Sequence, residues 1–169
     1  MEYKLFIIFI LFSWALYAQT NDIVLAKQFQ NVEFKKTTSR QIKHKLRGKK
    51  LVKETSSSYV TTFDKCYHVK HLTLTYPNNG LTFIFRKGMP HKKYILTKII
   101  LDSLATGYIN YSLKVNQSVT NDVIDKYGTP KINENGKLIY GSNSIIFYYD
   151  KKSVIRRIEI NSNKINNEN

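Results

Sequence analysis

Apolar and polar residues follow one pattern twice along this chain. Val32 and Phe34 open the first copy as alternating apolar positions, Ser39 follows, and Ile42 and Leu46 come at helical spacing before Gly48. At an offset of 81 residues, Leu113, Val115, Thr120, Val123 and Tyr127 repeat that order and end on Gly128. Residues four apart share a helix face, so each copy predicts a short helix with one apolar stripe. Ser39 and Thr120 are the expected N-caps, because a side-chain oxygen there accepts a backbone N–H that the first turn leaves unpaired. Gly128-Thr-Pro130 stops the second helix, with a glycine suited to a left-handed cap and a proline just beyond it.

A second match has an offset of 64, residues 74–85 lying over residues 138–149. Both are apolar and aromatic runs flanking a turn, Pro77-Asn-Asn-Gly80 or Gly141-Ser-Asn-Ser144, which is a hairpin signature. Closing strands are expected over residues 94–101 and 153–160. The matched order predicts an α+β fold: two tandem repeats, each a helix followed by an antiparallel meander, forming one continuous sheet with short helices packed on one face. Repeat 1 covers residues 19–101, repeat 2 residues 102–160, and a polar tail residues 161–169. The 169 residues, 42% hydrophobic and 13% aromatic, suffice for a core of this kind.

The N-terminus changes the picture of where the protein works. Lys4 precedes an apolar run over residues 5–16, broken by Ser13, and then Tyr17-Ala18-Gln19. This reads as a signal peptide over residues 1–18 with cleavage after Ala18, so the expected location is secreted or periplasmic. The run is shorter than the ~20 apolar residues a bilayer span needs, so no transmembrane segment is expected in the mature chain. Cys66 is the only cysteine, which rules out an internal disulfide. It is expected as a buried thiol on a strand, an intermolecular disulfide being the alternative. With His68 and His71 it makes too few ligands for zinc, so no metal site is expected.

Charge separates the two copies. Residues 19–101 hold 17 Lys and Arg against 4 Asp and Glu, a net of +13, whereas residues 102–169 hold 9 against 7. Residues 35–53 alone carry nine basic side chains and no acid. The two offsets differ by 17, so the first copy is longer between helix and hairpin. That insertion, at about residues 49–71, brings lysines interleaved with Tyr59, Phe63 and Tyr67. A second addition over residues 86–93 carries Arg86, Lys87, Lys92 and Lys93. Such additions are expected as surface loops and edge strands, where binding residues concentrate.

Catalytic chemistry finds little support. The carboxylates are few and dispersed, and Asp122 and Asp125 read as a solvated helix face. Gly141-Ser-Asn-Ser144 lacks the strand-turn-helix setting of a nucleophile elbow. No cofactor motif occurs and no cofactor is expected. Helix-turn-helix, ribonucleoprotein and zinc-finger motifs are missing too, and with the leader they argue against a nucleic-acid partner.

The helix and the aromatic hairpin, each in two copies, with the Tyr127-Gly-Thr-Pro130 stop in the second, resemble the tandem fold of the β-lactamase inhibitory protein. A single copy resembles the small outer-membrane assembly lipoproteins. The resemblance covers nearly the whole mature chain and implies a binding role without chemistry. This chain departs from the inhibitor in lacking its paired cysteines, and no contact residue carries over. The expected function is therefore a non-enzymatic inhibitor or immunity protein that binds an acidic partner, such as a toxin or enzyme, through repeat 1. The alternative is an envelope module that holds anionic lipid or polysaccharide. The expected contacts are Arg40, Lys43, Arg47, Lys49, Lys50, Arg86, Lys87, Lys92 and Lys93, with Tyr59 and Tyr67 as aromatic anchors.

Overall fold

Strand-forming alternation outweighs helical spacing in this chain. The helical stripe runs for only two positions in each copy, too short to stabilise a helix on its own. The alternating segments are longer and richer in Thr, Val, Ile, Tyr and Phe, which suit a pleated half-buried surface. The computed structural model describes residues 32–62, 65–88, 91–105, 108–109, 113–141 and 145–162. The expected leader over residues 1–18, Ser142 to Ser144 of the second turn and most of the polar tail lie outside the described residues.

Two α-helices lie among the described residues, α1 (Ser39–Lys45) and α2 (Thr120–Tyr127), with a 3-10 turn at Pro77–Asn79. The strands are β1 (Val52–Thr62), β2 (Lys65–Tyr76), β3 (Leu81–Gly88), β4 (His91–Leu101), β5 (Tyr108–Ile109), β6 (Leu113–Lys114), β7 (Ile132–Glu134), β8 (Lys137–Tyr140), β9 (Ile145–Tyr149) and β10 (Ile155–Asn161). Eight of them form one sheet in the order β1-β2-β3-β4-β10-β9-β8-β7, every neighbour antiparallel. The α+β class and the helix-plus-meander repeat expected from the sequence are thereby corrected: this is a mainly-β fold, mostly one eight-stranded antiparallel sheet, with β5 and β6 pairing apart from it. The physical reason lies in residues 49–71. Instead of forming loops, most of that insertion lengthens β1 and β2 to 11 and 12 residues, while the helices have only 7 and 8.

The N-caps also differ from expectation. Thr38, one residue before Ser39, caps α1: its Oγ1 accepts the Gln41 N–H at 3.4 Å, and Gln41 Oε1 accepts the Thr38 N–H at 2.7 Å. Val119, one residue before Thr120, opens α2, its N–H donating to Asp122 Oδ2 at 2.8 Å. The chain entering each helix is held in the same way. Lys35 and Asn116 both take a left-handed conformation, with φ of 66° and 67°. Each is locked by its N–H donating to a strand carbonyl, Leu96 O at 3.2 Å and Ile155 O at 2.7 Å. Without such a lock a non-glycine residue pays ~1–2 kcal/mol to stay there.

One face of the sheet carries the core. Leu72, Leu74 and Tyr76 from β2, Phe83 and Phe85 from β3, Leu96 and Ile99 from β4, and Leu138, Phe147 and Ile158 beyond the centre are all buried. Ile42 of α1 and Val123 of α2, both fully buried, press onto it, with Phe34, Leu46 and Tyr127 partly buried at the margin. Each large side chain removed from water contributes ~1.5–3 kcal/mol. Tyr76 meets Phe83 edge-on at 6.3 Å, and Tyr140 meets Phe147 edge-on at 5.8 Å. The two hairpins differ in one polar detail. The Tyr140 hydroxyl donates to Gly128 O at 2.9 Å, whereas the Tyr76 hydroxyl is buried with no hydrogen-bond partner among the described residues.

The other face holds one buried charge. Glu159 is 5% exposed, accepts from Lys98 Nζ at 2.9 Å and also pairs with Arg157. Burial pushes its carboxyl upward, but the hydrogen bond and charge of Lys98, joined by Arg157, outweigh that and hold it below 4.5.

Two stability measurements test this core. Tyr76→Phe should leave the urea midpoint unchanged or raise it, because no hydrogen bond is lost and an unpaired buried hydroxyl is removed. Tyr140→Phe should cost ~0.5–1.5 kcal/mol through the lost bond to Gly128. Equal losses in both variants would contradict the assignment. Glu159→Gln should destabilise the protein by ~1–3 kcal/mol at neutral pH. A carboxyl depressed in the folded state stabilises above its unfolded value and ceases to as pH falls through the folded one. The gap between wild type and Glu159→Gln in urea midpoint should therefore narrow as pH drops below 4.5, and a gap that widens would refute it.

Candidate binding surface

The longest strands build the most exposed part of the molecule. β1 and β2 pair without a break from Val52↔Thr75 to Thr62↔Lys65. β3 joins β2 only from Lys70 onward. Lys65, Cys66 and their neighbours therefore sit on a two-stranded ribbon that extends past β3. This placement corrects the expectation for Cys66, which is exposed on β2 rather than buried. The reason is that β1 is its only strand neighbour at that level of the ribbon.

The predicted contact residues fall into two groups. Arg40 and Lys43 lie on α1, and Arg47, Lys49 and Lys50 in the turn that leads to β1, all exposed. Tyr59 lies near the far end of β1 and is 74% exposed. At ~3.3 Å per residue, Lys50 and Tyr59 are ~30 Å apart along the strand, so these two residues cannot contact the same small group of a partner. Arg86 and Lys87 end β3, and Lys93 opens β4. Lys87 and Lys93 are exposed and Arg86 is half-buried, while the Lys92 side chain lies outside the described residues. Tyr59 and Tyr67 do not act together either. Tyr59 pairs with His68 and Tyr67 with Val60, so the two tyrosines project from opposite faces of the ribbon.

Register brings basic side chains face to face. Lys70 lies opposite Lys87, and His71 opposite Arg86, across β2 and β3. Directly opposed like charges destabilise a strand pair. The protein softens this locally: the Lys87 ammonium lies 5.9 Å from the Tyr94 ring centroid. Burial, and then the Arg86 charge, push His71 below its usual value and so favour the neutral ring. The only carboxylate among the described residues of β1 to β3 is Glu54. Arg157 over Tyr148 and Lys137 over the same ring show the contrasting half of the sheet, where Asp150 and Glu159 neutralise Arg156 and Arg157.

Sequence reading missed two contacts, because they depend on register. Ser58 Oγ lies 3.2 Å from His71 Nε2, and Tyr59 packs on His68 with ring centroids 5.2 Å apart. A serine and histidine in contact evoke a nucleophile and its base. Here, however, Arg86 stands on the histidine's other side, where an orienting acid would be needed. No group of three or more His, Cys, Asp or Glu is placed to hold a metal ion among the described residues. A cavity of 480 Å³ lies between Ser103–Ala105 and Lys114–Gln117, and Lys114 is the one titratable side chain among the described residues that line it. No helix among the described residues is long and apolar enough to cross a membrane.

No family model, curated protein or solved structure matches this chain. The surface chemistry therefore carries the functional reading.

The facing Arg86 and His71 give a direct test. Arg86→Gln should raise the His71 pKa, followed by its ring proton resonance in an NMR titration. The value should stay below 6.5, because burial, the larger cause, is untouched. No movement would show that the two side chains are not electrostatically coupled.

Proposed function

We propose that this protein is an exported, non-enzymatic module that binds an acidic protein through its first four strands and α1, as an inhibitor or an immunity-type protein. One observation carries the reading: Lys70 opposes Lys87, next to Arg86, in a region where Glu54 is the sole described carboxylate. Such an arrangement costs self-repulsion in the free protein, and an anionic partner relieves it. The exposed Tyr59 adds a rigid aromatic contact of the kind that anchors interfaces. Electrostatic complementarity then speeds encounter and excludes basic partners. The reading needs no metal and no cofactor.

A second reading is a module holding anionic envelope lipid or polysaccharide. The spread of exposed lysines over α1, the turn before β1 and the ribbon favours it, since a diffuse surface suits lysine as a point charge.

Capture experiments on an envelope fraction at moderate salt separate the two. A protein partner is expected to be retained at fixed stoichiometry and to be lost at least about tenfold on Lys70→Glu with Lys87→Glu. Lys131→Glu with Lys151→Glu, a control of equal charge change in the other half, should retain it. Retention of lipid or polysaccharide with no discrete protein, declining evenly with each lysine removed from either half, would refute the protein-binding reading.

A further inference from the structure

We propose that the outer edge of β1 is a strand-addition site, which takes an extended acidic segment of the partner as a further strand of the sheet. The inference rests on the acidic-partner reading and specifies how that partner is held.

The two edges of the sheet differ in kind. β7 has three residues, too few to template another strand. β1 has eleven, all in unbroken register with β2, whereas β3/β4 and β9/β10 contain bulges. An antiparallel strand points alternate N–H and C=O groups away from its partner, so β1 presents a row of them outward. Proteins ordinarily close such an edge with prolines, bulges, short strands or repeated charge. β1 contains no proline and only two charged residues, Lys53 and Glu54. From Thr55 to Ser58 its side chains are small hydroxyls, and all four are exposed. Nothing in that stretch obstructs a backbone approaching to the ~4.8 Å of a strand pair.

Charge selects the occupant. Lys53 lies on the edge strand, and Lys65 and Lys70 are exposed one strand further in. Paired residues share a face, which places Lys53, Ser57 and Tyr59 on the face of Leu74, Lys70 and His68. Across the small Ser57, the Lys70 ammonium is open to an incoming side chain. A segment with carboxylates at alternate positions therefore meets Lys53 and Lys70 on one face, with Tyr59 beside them. The span from Lys53 to Tyr59 is ~20 Å, a segment of about six residues. A second copy of this chain fits less well, because it would lay one basic ribbon against another.

The test uses the full mature chain and eight-residue peptides of alternating Glu and Thr. Two further versions carry N-methyl groups on the Glu or on the Thr amides, which keeps every charge but removes alternate N–H donors. A Lys-Thr peptide serves as the charge control. The expected result is that the parent binds, that one N-methylated version binds at least about tenfold more weakly, and that amide exchange slows within β1. Equal binding of both N-methylated versions, or slowed exchange confined to α1 or to residues 86–93, would overturn strand addition and leave the acidic-partner reading standing. Failure of the Glu-Thr peptide to bind better than the Lys-Thr peptide would overturn both.

Discussion

The rest of the fold depends on the seam where β4 pairs with β10. These strands are more than fifty residues apart in sequence, and their pairing turns two separate meanders into one sheet. Leu101 meets Ile158 and Ile99 meets Ile160 on the core side, all four buried. On the other side Glu159 is held by Lys98 across the seam and by Arg157 along its own strand. A buried carboxylate without those two cations costs several kcal/mol, so the ion pair specifies register as much as it adds stability. The seam thus joins an apolar match on one face to a charge match on the other.

That joint explains the uneven division of labour across the sheet. From the seam toward β7, the strands are short and their charges neutralise one another. Toward β1 they lengthen, run past their neighbours and accumulate cations that oppose one another. The core needs only the inner part of β2, from Leu72 to Tyr76. Apart from the fully buried Val69, the outer part leaves most of its side chains to water, so it costs conformational entropy with less apolar burial in return. A binding role accounts for retaining such a ribbon.

Part of this was legible in the sequence. The hairpins around Pro77-Asn-Asn-Gly80 and Lys137–Tyr149 were visible, because alternation and turn residues are local signals. The helix positions were visible too, although both caps lie one residue earlier than expected, since backbone geometry, not the preferred cap residue alone, decides the start. The fold class was misread because residues 49–71 carry no turn signal that distinguishes a long polar ribbon from loops. Cys66 was misplaced for a related reason: its alternation is the same with or without a neighbouring third strand. The Ser58–His71 contact and the opposed cations were invisible, since they arise from register and not from spacing along the chain.

By itself, the sequence determined the basic excess of residues 19–101, the apolar alternation and the capped helical turns, all of which follow from neighbours along the chain. Only the tertiary structure decided that β4 meets β10, that β1 is an eleven-residue edge strand among the described residues, and that Lys70 faces Lys87. Those outcomes depend on which distant strands pair and in what register. Burial of one whole sheet face selects that register, because a one-residue slip of β2 would turn Leu72, Leu74 and Tyr76 outward together.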